Sequence, residues 1–150
     1  MTIARRKSHF AEQLRLLLEL IRPHQWSKNL LLFAPALTSF SIFDAQAISL
    51  TLTAIFAFSC AASAGYVLND LMDLPADRDH PRKKFRPLAS GRINAKTAKK
   101  IGLALLAAAL AAAYATNADF LLLIMIYLIL TTTYSLALNK ILLIDVMTLA

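Results

Sequence analysis

The sequence predicts an all-α, multi-pass transmembrane bundle, and three observations carry that prediction. Apolar residues make up 58% of the 150-residue chain, above the ~45–50% of an ordinary soluble domain. They are gathered into runs that approach the ~20 residues a helix needs to cross a bilayer. The chain nevertheless carries a net charge of +7, and its cations fall between the runs, on alternate connections only. Basic residues confined to one side of a membrane are what insertion topology favours.

The elements follow in chain order. Residues 1–28 read as a cytoplasmic and interfacial segment. From Phe10 to Ile21, leucines at 14, 16, 17, 18 and 20 alternate with Glu12, Arg15 and Glu19. That pattern predicts an amphipathic helix lying in the interface, closed by Arg22-Pro23 because a residue before proline is pushed out of the α region. No small-residue cleavage site follows the basic N-terminus, so it does not read as a signal peptide. Spans and their loop then occupy about 29–150. Asn29–Phe43 is the first candidate span, short and interrupted by Pro35, hence kinked or tilted. Ala47–Leu68 is a clear second span. Ile101–Ala115 is the third, alanine-rich and suited to close helix packing. Phe120–Leu138 is the fourth, and Leu142–Ala150 reads as the start of a fifth. Cys60, the single cysteine, offers no disulfide and no thiolate metal site, and reads as a small buried hydrophobe.

Charge placement orients the chain. Arg5, Arg6, Lys7, Arg15, Arg22 and Lys28 precede the first span. Arg78, Arg82, Lys83, Lys84, Arg86, Arg92, Lys96, Lys99 and Lys100 lie between the second and third, and Lys140 follows the fourth. The connections near Asp44-Ala45-Gln46 and Thr116-Asn117-Ala118-Asp119 carry none. The N-terminus and the loop 69–100 are therefore expected on the cytoplasmic side of a plasma or bacterial inner membrane. No nucleic-acid partner is expected.

The second span runs directly into Asn69-Asp70-Leu71-Met72-Asp73-Leu74-Pro75-Ala76-Asp77-Arg78-Asp79. Ionised aspartates near membrane depth are costly and face a cavity, an ion or a substrate. On a helix Asp70, Asp73 and Asp77 recur at i, i+3 and i+7, and Asn69, Asp73 and Asp77 recur every four residues, so either set shares one face. Three like charges on one face repel unless a cation neutralises them. Hard oxygen donors suit Mg²⁺, which is commonly held by one or two carboxylates and by the phosphates of its substrate. The alternative is an acidic helix end, capped and solvated. Pro75 inside the cluster removes a helix hydrogen bond and predicts a kink between Asp73 and Asp77.

A basic loop follows at once, from Asp79-His80-Pro81-Arg82-Lys83-Lys84-Phe85-Arg86 to Arg92. Carboxylates that hold a metal, beside Lys and Arg that meet phosphate oxygens, are what a magnesium-bound diphosphate requires. By itself the loop reads first as a topology signal with affinity for anionic lipid, and beside the carboxylates the phosphate-binding reading takes precedence. Lys83 and Arg86 are the candidate phosphate contacts, with Asn69 beside them. Lys28 and Asn29 open the first span from the same side, where Trp26 and Lys28 also serve as interface anchors. His24 and His80 read as peripheral. Tyr134 and Ser135 read as packing or substrate-orienting groups, and Asp145 stands in an apolar stretch without an evident partner.

These residues resemble the UbiA-type intramembrane prenyltransferase superfamily. The resemblance rests on Asn-Asp-x-x-Asp-x-x-x-Asp at Asn69, Asp70, Asp73 and Asp77 and on Arg-Pro-Leu-x-Ser-Gly at Arg86 to Gly91. The stretches Arg22 to Asn29, Asp77 to Pro87 and Tyr134-Ser135 look most like the polyprenyl-phosphate phosphoribosyltransferase branch. The resemblance implies a bundle of about nine membrane helices in two similar halves, of which this chain matches the first. Each half brings an aspartate motif, and the second is not in these residues. It implies Mg²⁺ held by Asp70, Asp73 and Asp77, a diphosphate donor, a lipid-linked acceptor, and a complementing C-terminal half or an oligomer. Phosphoribosyl transfer to a polyprenyl phosphate and prenyl transfer to an aromatic ring fit the same residues. A third expectation is a membrane fragment without catalysis of its own, since residues 1–150 carry one acidic motif.

Overall fold

A computed structural model of the chain describes the backbone of residues 3–148 and the side chains of residues 10–137 other than Ala36 and Ile42. It is helical throughout, with no strand among the described residues. The helices are α1 Ile3–Ile21, α2 Ala34–Thr38, α3 Ala45–Met72, α4 Leu74–Asp79, α5 Ala95–Thr116 and α6 Ala118–Thr148. Helices α3, α5 and α6 are long and apolar enough to cross a membrane.

Helix α1 ends as expected. Arg22 adopts φ 54° and ψ 58° ahead of Pro23, and its N–H donates to the Leu18 carbonyl. Leu20, on the apolar face, is fully buried against Val67, Leu88 and Ala98.

The first candidate span is corrected by the structure. Asn29–Phe43 is not one kinked α-helix but part of a 3₁₀ segment Pro23–Phe33, the short α2, and a 3₁₀ turn Ser41–Phe43. Pro35 sits in the first turn of α2, where its missing N–H costs nothing. Polar pins replace apolar packing: Trp26 Nε1 donates to Ser63 Oγ at 3.0 Å and Asn29 Nδ2 to Ser59 Oγ at 3.0 Å. These contacts step backwards along α3, so the segment descends antiparallel to it. At ~2.0 Å per residue a 3₁₀ run also covers more depth than the ~1.5 Å of an α-helix, which suits a short apolar stretch.

Helix α3 is 28 residues long. Asp44 caps it, accepting from Gln46 N at 2.9 Å, and it extends past the expected end at Leu68 to carry Asn69 and Asp70. It stops at Asp73, and α4 begins at once with Pro75 in its first turn. Were α3 to continue through it, Pro75 would collide with the carbonyl of Leu71, four residues back. The break therefore falls at Asp73, ahead of the proline, and not between Asp73 and Asp77. Beyond α4, Gly91 takes φ 76° to close the loop, where Ile93 N donates to Pro87 O. Asn94 then caps α5 through Thr97 N at 2.7 Å.

Small residues let α3 and α5 approach closely. Ala57, Cys60, Ala61, Ala109 and Ala113 are all buried in the seam, the packing expected of membrane helices. Cys60 is a small buried hydrophobe, as read. Phe58 sets α6 by edge-on contacts with Phe120 and Tyr127, centroids at 6.0 and 5.3 Å.

The fourth span and the start of a fifth are one helix: the α6 backbone runs unbroken to Thr148. Asn139-Lys140 interrupts the hydropathy, but neither proline nor glycine is present to break the helix. Among the described residues the structure thus has three long apolar helices where four complete spans were expected. The side chains of Arg5, Arg6, Lys7, Lys140 and Asp145, and the end of the expected fifth span at Leu149-Ala150, lie outside the described residues.

Candidate active site

The break after α3 folds α4 back so that two of the three motif carboxylates meet. Asp70 is 4% exposed and Asp77 2%. Arg86, delivered by the loop, places Nη1 2.6 Å from Asp77 Oδ2 and 3.2 Å from Asp70 Oδ1. Arg22 Nη2 donates to the same Asp70 Oδ1 at 2.6 Å, and Lys83 Nζ lies 3.8 Å from Asp77 Oδ1. Buried carboxylates without such partners would cost several kcal/mol each. The cluster is therefore an alternation of acid and base.

Asp73 occupies the break itself. It is half-buried, its N–H donates to Asn69 O, and its carbonyl receives Asp77 N. Asn69 is oriented from across the bundle: Ser135 Oγ on α6 donates to its Oδ1 at 2.8 Å. Asn69 and Tyr66 line a cavity of about 150 Å³ with Tyr127 and Thr131 of α6.

The fold thus gathers Asp70, Asp77, Lys83 and Arg86, and sets Asp73 and Asn69 beside them. Lys28 is not brought in; it is exposed on the 3₁₀ segment. Sequence reasoning passed over Arg22 as a site residue because it reads as a helix stop before proline. Its guanidinium also lies over the Tyr66 ring, 5.0 Å from the centroid. His80 is peripheral to the cluster, accepting the N–H groups of Arg82 and Lys83 on Nδ1 at 3.2 Å each.

The donor set fits a hard divalent cation. Two buried carboxylates converge on one point, where the positively charged Nη1 of Arg86 stands in for a cation. Among the described residues no three acidic, histidine or cysteine side chains form a complete cage. Mg²⁺ does not need one, since it commonly takes one or two carboxylates and completes its shell with phosphate and water.

The description of the UbiA prenyltransferase family matches residues 30–150. The decaprenyl-phosphate phosphoribosyltransferase of Mycobacterium tuberculosis is 36% identical over 118 residues, which cover 76% of this chain and 39% of that protein. The uncharacterized protein y4nM of Sinorhizobium fredii is 40% identical over 126 residues, 84% of this chain and 24% of that one. The nodulation protein NoeC of Azorhizobium caulinodans is 45% identical over 89 residues, 59% of this chain and 29% of that one. The chain spans well under half the length of the curated relatives it matches.

Proposed function

The chain belongs to the UbiA prenyltransferase family, and from that membership and its site we propose that it serves magnesium-dependent transfer of phosphoribose from phosphoribosyl diphosphate to a polyprenyl phosphate. The observation that carries this reading is the convergence of Asp70 and Asp77 on Arg86, with Arg22 and Lys83 beside them. The likeness to a decaprenyl-phosphate phosphoribosyltransferase over 76% of the chain supports phosphoribose as the group transferred and a polyprenyl phosphate as the acceptor.

Asp70, Asp73 and Asp77 would hold Mg²⁺, which supplies charge neutralisation to the leaving diphosphate. Lys83 and Arg86 then meet donor phosphate oxygens. Arg86 suits that role because its planar fork grips two oxygens at once. Arg22 holds Asp70 in place, and Ser135 fixes Asn69 against the donor. Lys28, exposed on the 3₁₀ segment and not brought to the cluster, is left out of this set. The lipid phosphate attacks the ribose carbon as the diphosphate departs, in a site from which α3 and α6 exclude water. The acidic motif faces the cytoplasm, where a soluble sugar diphosphate is met.

Donor identity is tested by titrating the purified protein with phosphoribosyl diphosphate and, separately, with a prenyl diphosphate, both with Mg²⁺. Tighter binding of the phosphoribosyl donor is expected. Preference for the prenyl diphosphate would transfer the site to the aromatic prenyltransferase reading.

A further inference from the structure

On the face of α3 turned away from the acidic cluster, a cleft of about 920 Å³ opens between α3, α5 and α6. Its walls are apolar: Leu68 and Met72 of α3, Leu103 and Leu106 of α5, and Met125 and Ile129 of α6. Leu103 and Ile129 are 66% and 61% exposed, so the cleft is open between α5 and α6. Gly65 and Gly102 form part of its floor, and a side chain at Gly65 would meet nothing within 4 Å.

Its dimensions are those of one leaflet. Along α5 it runs from Lys99 to Leu110, a rise of about 16 Å at ~1.5 Å per residue. Half of a ~30 Å hydrocarbon core is about 15 Å. The one charged group in the lining is Lys99, in the second turn of α5 and hence at head-group depth. Lys96 and Lys100 are exposed beside it, and none of the three makes an ion pair among the described residues. Arg22, Lys83, Arg86 and Arg92, by contrast, are all paired. A basic mouth above an apolar cleft between membrane helices is complementary to an anionic lipid, with the phosphate on the cation and the chain below.

We infer that this cleft is a binding site for an anionic phospholipid of the leaflet on the basic side, its phosphate on Lys99 and one acyl chain against Leu103 and Leu106. The site is separate from the transferase reading, because α3 stands between the cleft and the carboxylates.

The test reconstitutes the protein into bilayers containing trace spin-labelled phosphatidylglycerol or phosphatidylcholine and reads the motionally restricted fraction by electron spin resonance. The wild type is expected to restrict phosphatidylglycerol several-fold more. Lys99→Gln should remove that preference, and Leu103→Trp, which fills the cleft and leaves Lys99 in place, should remove it too. Lys84→Gln, the same charge change in the loop, should keep it. Equal restriction of the two lipids by the wild type would overturn the inference, as would equal effects of Lys84→Gln and Lys99→Gln, which signify diffuse attraction. An inert Leu103→Trp would place the chain elsewhere and also overturn it. A Leu103→Cys protein that forms a disulfide-linked dimer would assign the cleft to a second copy and overturn it as well.

Discussion

Arg22 and Asp70, 48 residues apart in sequence, are joined by a 2.6 Å contact from Nη2 to Oδ1. The pair ties the end of α1 to the start of the acidic motif. Asp70 is almost wholly buried, so the contact has a structural consequence as well as an electrostatic one.

Removing Arg22 leaves Asp70 with Arg86 alone. Arg22→Ala should lower stability by about 1–3 kcal/mol, the range for losing a charged hydrogen bond to a buried partner. Arg22→Ala combined with Asp70→Asn should cost less than the two single changes together. Unfolding in mixed detergent micelles reads both; simple additivity would show that the pair is not coupled.

Ser135 reaches Asn69 from α6 through one hydrogen bond of 2.8 Å. With Ser135→Ala, Asn69 loses its orientation, and donor affinity should fall roughly fivefold for ~1 kcal/mol. Ser135→Thr, which keeps the hydroxyl, should restore most of it. Titration of donor against the two variants separates this from mere repacking, for which the alanine variant would bind at least as well.

Arg86 serves two carboxylates in the structure and donor phosphates in the proposal. Arg86→Lys retains the charge and loses the fork. Donor binding should drop at least about tenfold by titration, since a point charge does not reproduce bidentate geometry. Unchanged affinity would reduce the loop to a topology signal.

Topology has its own test. A cysteine at Asp44 should be labelled from outside intact cells, and one at Lys84 only after permeabilisation, given the one-sided placement of the basic residues. External labelling at position 84 would reverse the orientation.

The parts of the fold legible in the sequence were those fixed by local rules. Pro23 and the leucine stripe gave the end of α1, and the apolar runs gave α3 and α5. Asn29–Phe43 was misread because its pairing with Ser59 and Ser63 is tertiary: hydropathy sees an apolar run, not the polar pins that draw it into 3₁₀ geometry. Asn139-Lys140 misled in the opposite sense, since a dip in hydropathy ends a span in a profile without breaking a helix. In the site, the spacing of Asp70, Asp73 and Asp77 was visible. That Asp70 and Asp77 share Arg86 was not, because it depends on the break at Asp73 and the fold-back of α4. Arg22 and Ser135 come from distant elements, and only the packing of α1 and α6 on α3 reveals them.

The most direct measurement is the magnesium dependence of donor binding in the Asp70→Asn, Asp73→Asn and Asp77→Asn proteins, followed by titration calorimetry with phosphoribosyl diphosphate. Helix content by circular dichroism serves as the folding control. Binding to the parent should require Mg²⁺, and each variant should lose at least about tenfold in affinity, more than ~1.4 kcal/mol, with its helices intact. Parent and variants binding the donor alike, or a parent indifferent to Mg²⁺, would contradict the assignment of these carboxylates to a metal–diphosphate site.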